Sequence, residues 1–207
     1  MFNFNILIFN FFNFQKNNCL LLNWFILKNI IIFFSKVLGV GVNNIKVVSG
    51  LEIELYVSNK NIYPLIFFLN KHSLCRFKCV IDIICYDTIG KLFRFGMVYN
   101  LLSIQNNMRI RIITKLNEKN ILLFLISLYR SVAWSEREIF DFFGFFFFEN
   151  KDLRKILTDY GFKGFPLRKD FPLTGYIDVY YDDNQKCICY KNLELSQEYR
   201  NFNFNSK

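Results

Sequence analysis

The chain has one alanine, Ala133, one histidine, His72, three prolines and nine glycines among its 207 residues. Phenylalanine, isoleucine, asparagine, lysine and tyrosine fill the space, with 27 phenylalanines alone. That skew replaces residues with G/C-rich codons by residues with A/T-rich codons, as an organellar genome would. The 53% hydrophobic share is therefore no sign of membrane contact by itself. No glycine-rich phosphate loop or dinucleotide fingerprint occurs. The six cysteines (Cys19, Cys75, Cys79, Cys85, Cys187 and Cys189) contain no CxxC pair, so neither a zinc ribbon nor a ferredoxin cluster is expected. Reduced, mostly buried thiols are the better reading. An iron–sulfur site from Cys75, Cys79 and Cys85 with a distant fourth ligand is an alternative that the spacing matches poorly. No arginine precedes Arg76, which argues against a cleaved, Arg-rich presequence.

Long apolar runs are also short of what a bilayer needs. Residues 1–34 are the most apolar part, but Lys16, Lys28 and recurrent asparagines break them below the roughly 20 residues of a spanning helix. An amphipathic helix from about Asn18 to Val40 is expected within an N-terminal segment, 1–43. The net charge of +9 is uneven: 13 Lys and Arg stand against 4 Asp and Glu through Lys115, and 13 against 13 thereafter. A basic surface could attract RNA, anionic lipid or an acidic protein. The basic residues are scattered singly, however, and the C-terminal part is neutral. An RNA-binding organellar ribosomal protein, whose tail should be its most basic segment, is thus the alternative reading. A peripheral membrane protein held by its aromatic N-terminus is another.

From Asn44 the pattern turns to short extended runs. NIKVVSGLEIELYVS reads as one or two strands around Gly50, and IYPLIFFLNKH as a helix beginning near Pro64. CVIDIICYD, LFRFGMVYNLL and MRIRIITKL read as strands. The last alternates Met108, Ile110 and Ile112 with Arg109 and Arg111, implying one buried and one wet, basic face. Asp87, Thr88 and Gly90 supply turn residues, and ILLFLISLYRSVAW looks helical. The fold class expected is α+β, a mixed or antiparallel sheet packed with helices over residues 44–144. Residues 145–207 form an extended arm. Pro166, Pro172, Gly161, Gly164 and Gly175 exclude a regular helix there, while Phe162, Phe165, Leu167, Phe171, Leu173 and Tyr176 make it too apolar for a free linker. Such an arm is expected to order only against a partner surface.

SEREIFDFFG, residues 135–144, carries three carboxylates in seven residues. Ser135 and Glu138 have capping-box spacing, Glu136 adds negative charge to a first turn, Arg137 and Asp141 can pair four apart, and Gly144 suits a helix end. General acid–base work is the other reading of such a cluster, but no histidine or partner motif accompanies it. A short capped helix with an internal ion pair is favoured.

AWSEREIFDFFG, followed by DLRKILTDYGFKGFPLRKDFPLTGYIDVYYD, resembles the 30-kilodalton subunit family of respiratory complex I, in its organelle-encoded mitochondrial form. RFGMVYNLLS and MRIRI are similar to the family's strand region, so the resemblance spans about Arg76 to Asp183. Two family histidines are replaced, by Asn150 and Phe165. Asn150 can instead cap a short DLRKIL helix. The resemblance implies a non-catalytic subunit in the matrix-facing hydrophilic arm of the enzyme. It would support the quinone-binding module on the mitochondrial inner membrane, with no cofactor of its own. FMN and iron–sulfur clusters would belong to partner subunits. It implies no nucleic-acid partner, and membrane association only through the complex. Glu136, Arg137, Glu138, Asp141, Arg154, Asp159, Tyr160, Arg168, Lys169 and Asp170 would shape the contact with the larger quinone-module subunit.

Overall fold

The computed structural model describes residues 32–35, 41–49, 52–197 and 199–200. Most of the expected N-terminal helix lies outside these residues; residues 32–35 are helical, and Phe34 is buried. The fold is α+β. Strands β1 (Val42–Ser49), β2 (Glu52–Val57), β3 (Cys79–Asp87), β4 (Phe95–Ser103) and β5 (Met108–Leu116) form a mixed sheet in the order β1-β2-β5-β4-β3. Only the β2–β5 pair is parallel. Helix α1 (Ile62–Lys71) follows β2 through a 3-10 turn, and helix α2 (Val132–Phe143) follows β5. Two bridges, β6 (Leu122–Leu123) and β7 (Phe147–Phe148), run parallel, and a hairpin of β8 (Ile177–Asp182) and β9 (Cys187–Asn192) closes the described chain.

Period-two alternation builds the core. Ile53 and Leu55 of β2, Ile110 and Ile112 of β5, and Met97, Tyr99 and Leu101 of β4 point inward and are fully buried. Ile66 and Leu69 of α1 and Val132, Ile139 and Phe143 of α2 join them in one cluster. The opposite face of the sheet carries the charges. Arg111 pairs with Glu52 at 2.7 Å and with Glu54 at 3.6 Å, so the wet basic face expected of β5 is neutralised by its parallel neighbour. Beside that ladder the register lines up Tyr56, Ile113, Val98 and Ile84 across four strands. Gly96 lets the Tyr86 ring lie over β4, where a Cβ would collide with the ring.

Three local expectations fail, two where side chains take backbone donors and one where the helix starts upstream of the expected cap. The run after Ile121 is not helical: Leu122 and Leu123 bridge Phe147 and Phe148, and turns continue until α2 starts at Val132. With that start, Ser135 and Glu138 lie inside the helix and form no capping box; Ser131 is the N-cap and makes no side-chain capping bond. DLRKIL is irregular as well. Gly144 does end α2, in the left-handed conformation at φ 77° with its N–H donating to the Phe140 carbonyl.

The two faces of β5 should respond differently to truncation. Ile110→Ala should cost about 2–5 kcal/mol by cavity formation, and Arg109→Ala, whose contact to Glu52 is long and exposed, within about 1 kcal/mol. Chemical denaturation of the two variants checks this.

Candidate subunit-interface site

The SEREIFDFFG residues separate into an inward and an outward set. Glu136 falls in helical register with Val132, Ile139 and Phe143 and is fully buried with them. Its Oε1 accepts from the Leu125 N–H at 2.7 Å and its Oε2 from the Asn150 amide at 3.0 Å. No ion pair reaches it among the described residues. Burial therefore dominates and raises its pKa to about 7, against the opposing Leu125 and Asn150 hydrogen bonds. Glu136 thus adds no charge to a first turn; it stitches the 122–125 segment and Asn150 to α2.

Asp141 is likewise internal, and Arg137 does not pair with it. Its Oδ2 collects the N–H groups of Ile156, Leu157 and Thr158 at 2.9–3.1 Å, and its Oδ1 accepts from the Thr158 hydroxyl at 2.6 Å. Lys155 stands 3.7 Å away. Burial would raise this carboxyl, but the Thr158 hydroxyl and the three N–H bonds outweigh it and hold the pKa below the ordinary aspartate value. These bonds take the donors that a DLRKIL helix would have used, which explains why none forms. Asn150 keeps a local role, its Oδ1 accepting from the Asp152 N–H.

Residues 165–170, expected to order against a partner, are anchored on their own domain. The Leu167 N–H and the Arg168 Nε donate to the carbonyls of Phe142 and Phe143 at the end of α2. The Phe165 ring packs so closely on Gly144 that a Cβ there would approach it to 2.5 Å. Asp87, at the inward end of β3, receives two bonds from Arg94, at 2.8 and 2.7 Å, and a third from the Lys169 N–H at 2.9 Å. Arg94 also reaches Asp170 at 2.9 Å and Glu118 at 2.7 Å. The Arg94 hydrogen bonds hold the Asp87 carboxyl below its ordinary range despite burial, with the Lys169 N–H adding to them. Asp87 and Arg94 were not among the sequence candidates. The signal was available only in part: alternation from Ile83 and Cys85 places Asp87 on the buried side, where a charge must find donors, whereas a bulge between Val80 and Asp82 breaks the pattern upstream.

The outward set is smaller. Arg137 stacks over Trp134, which is two-thirds exposed, and donates to the Arg154 carbonyl; Arg154 pairs with Asp152. Glu138 and Tyr160 are exposed. Asp159 accepts from the Tyr190 hydroxyl at 3.2 Å and so ties the β8–β9 hairpin to the arm. That hairpin is amphipathic. Ile177, Val179 and Tyr181 on β8 and Ile188 and Tyr190 on β9 share one face, each about half exposed or more, while Asp178, Tyr180, Asp182, Cys187, Cys189 and Lys191 share the other. A two-stranded hairpin whose apolar face is half exposed is marginal in water.

The sequence profile described as "Respiratory-chain NADH dehydrogenase, 30 Kd subunit" matches residues 55–177, from β2 to the start of the hairpin. The chain belongs to this family. It is 48% identical over 155 residues to NADH-ubiquinone oxidoreductase subunit 9 of Prototheca wickerhamii, covering 75% of this chain and 81% of that one. The subunit 9 protein of Acanthamoeba castellanii is 51% identical over 152 residues, covering 73% and 77%. An NADH-quinone oxidoreductase subunit of Roseobacter denitrificans is 46% identical over 159 residues, covering 77% and 80%. The 30 kDa family membership makes the chain a subunit of an NADH:quinone oxidoreductase complex, complex I of the respiratory chain, and gives the RNA-binding alternative no support. A chain in the structure of an archaeal membrane-bound sulfane sulfur reductase, a respiratory membrane complex, superposes with a TM-score of 0.61. It covers 70% of this chain and 85% of that one at 21% identity, a likeness of fold alone. No helix among the described residues is long and apolar enough to cross a membrane.

The buried acids predict opposite pH responses. Glu136, with its folded pKa raised, binds a proton that the unfolded chain has released, so its contribution to stability falls between about pH 4.5 and 7 and then stays level. The loss is at most roughly 3 kcal/mol. Asp87 and Asp141, with lowered values, stabilise above the unfolded aspartate range and lose that contribution as pH falls through their folded pKa values. Thermal unfolding from pH 5 to pH 8 should show a decline that Glu136→Gln removes; an unchanged pH profile in that variant would contradict the assignment.

Proposed function

We propose that the chain is a cofactor-free scaffold subunit of the hydrophilic arm of complex I. It sits on the matrix side of the mitochondrial inner membrane and is held there through the complex alone. In this role it docks on the larger quinone-module subunit and keeps the quinone-binding module in place while neighbours carrying FMN and iron–sulfur clusters transfer the electrons.

The observation that carries this reading is the hairpin face of Ile177, Val179, Tyr181, Ile188 and Tyr190. Five large apolar side chains, each about half exposed among the described residues, form a patch that a monomeric soluble domain rarely leaves in water. The two acids of the family motif with the most distinctive environments, Glu136 and Asp141, bind backbone groups of their own chain, which suits structure better than proton transfer. Arg137, Glu138, Arg154 and Tyr160 offer the kind of charged and aromatic groups found around an interface. Arg168, Lys169 and Asp170 act one step back, fixing the base of the arm from which the hairpin projects.

Replacing Val179 and Ile188 together by serine tests the reading. The free chain should change by no more than about 1 kcal/mol, since both side chains are exposed. The amount of assembled enzyme on a native gel should fall severalfold, while the turnover of the enzyme that does assemble stays near wild type. Full assembly with lost electron transfer would mean that the hairpin serves the chemistry instead.

A further inference from the structure

The polar face of the β8–β9 hairpin holds a feature that scaffolding does not require. Cys187 and Cys189 are two residues apart on β9 and so project to the same side, with their Sγ atoms 3.8 Å apart. Both thiols also point to the Gln185 Oε1, at 3.7 and 3.6 Å, which converges them over the turn. Cys187 is exposed and Cys189 half-buried, whereas Cys75 and Cys85 are closed inside the core.

We propose that Cys187 and Cys189 form a two-thiolate binding site for a soft, thiophilic metal ion of the monovalent copper class. Thiolates select such ions, and a pair of sulfurs is a complete ligand set for a two-coordinate ion. A zinc ion would ask for four ligands, and no group of three or more His, Cys, Asp or Glu is arranged to hold a metal among the described residues. Copper stays monovalent on binding, two Cu–S bonds form, and both thiol protons leave to solvent. The bis-thiolate unit then carries one negative charge, on a face that also holds Asp182 opposite Cys187 and Lys191, whose ammonium pairs with Asp178 at 3.6 Å. A disulfide suits the pair less well. Strand positions two apart are about 6.8 Å apart by strand rise, at the far edge of the span that a disulfide bridges.

The site lies on the face opposite Ile188 and Tyr190, so docking of the apolar face leaves it open to solvent. Only that accessibility in the assembled enzyme rests on the function proposed above; the free chain tests the site by itself.

Copper(I), supplied anaerobically as its bicinchoninate complex with a non-thiol reductant, is the probe. The full chain carrying Cys19→Ser and Cys79→Ser should withdraw a single copper ion per molecule as a monomer. Cys187→Ser and Cys189→Ser, each alone, should lose it. A third variant, Ile188→Cys with Cys189→Ser, keeps two neighbouring thiols but turns them to opposite faces, and it too should fail to withdraw copper. Retention of copper by a single serine variant, equal binding by the opposite-face variant, or no withdrawal by the starting chain would each overturn the proposal.

Discussion

A carboxylate shut away from water survives as an anion only if donors surround it, and Asp87 draws its donors from two distant parts of the chain. Arg94, at the mouth of β4, supplies two, and the Lys169 N–H supplies a third from 82 residues downstream. The same guanidinium holds Asp170 and Glu118. Sheet, β5–β6 connection and arm therefore meet at one cation. With the base of the arm fixed there and at the Phe142 and Phe143 carbonyls, the hairpin that follows leaves the domain from a fixed place.

The strands were legible from their Ile, Val, Phe and Tyr content and, in MRIRIITKL, from strict alternation: CVIDIICYD and MRIRIITKL coincide with β3 and β5, although a bulge after Val80 shifts the phase of β3. Family membership was legible from the long motif between Ala133 and Asp183. What the sequence did not disclose lies where a side chain competes for backbone donors. Glu136 takes the Leu125 N–H and Asp141 takes those of Ile156, Leu157 and Thr158, and in both places a helix expected from local pattern is absent. Ser135 and Glu138 have the spacing of a cap, yet the apolar stripe of Val132, Ile139 and Phe143 extends the helix upstream of them. Reading Glu136 as a member of that stripe would have marked it as a buried acid.

Asn150 and Phe165, where the resemblance implied histidines, have physical roles of their own. Burial raises the Glu136 pKa to about 7, and the Asn150 amide, a neutral donor, opposes that rise only in part. Phe165 fills the space above Gly144 and gives Arg168 a ring to stack on, at 4.6 Å. In this chain both positions serve packing and hydrogen bonding, which agrees with a subunit whose motif residues hold structure. The half-exposed apolar face of the hairpin is then the part whose environment the described residues leave incomplete.

The central claim is that the base of the arm is ordered by its own domain while the hairpin is completed by a neighbour. Amide hydrogen exchange on the free chain and on the assembled enzyme separates the two most directly. Residues 165–170 should be protected alike in both states, and residues 177–192, folded but readily opened in the free chain, should gain strong protection on assembly. Equal protection of the hairpin in both states, or protection of residues 165–170 that appears only in the complex, would contradict the account.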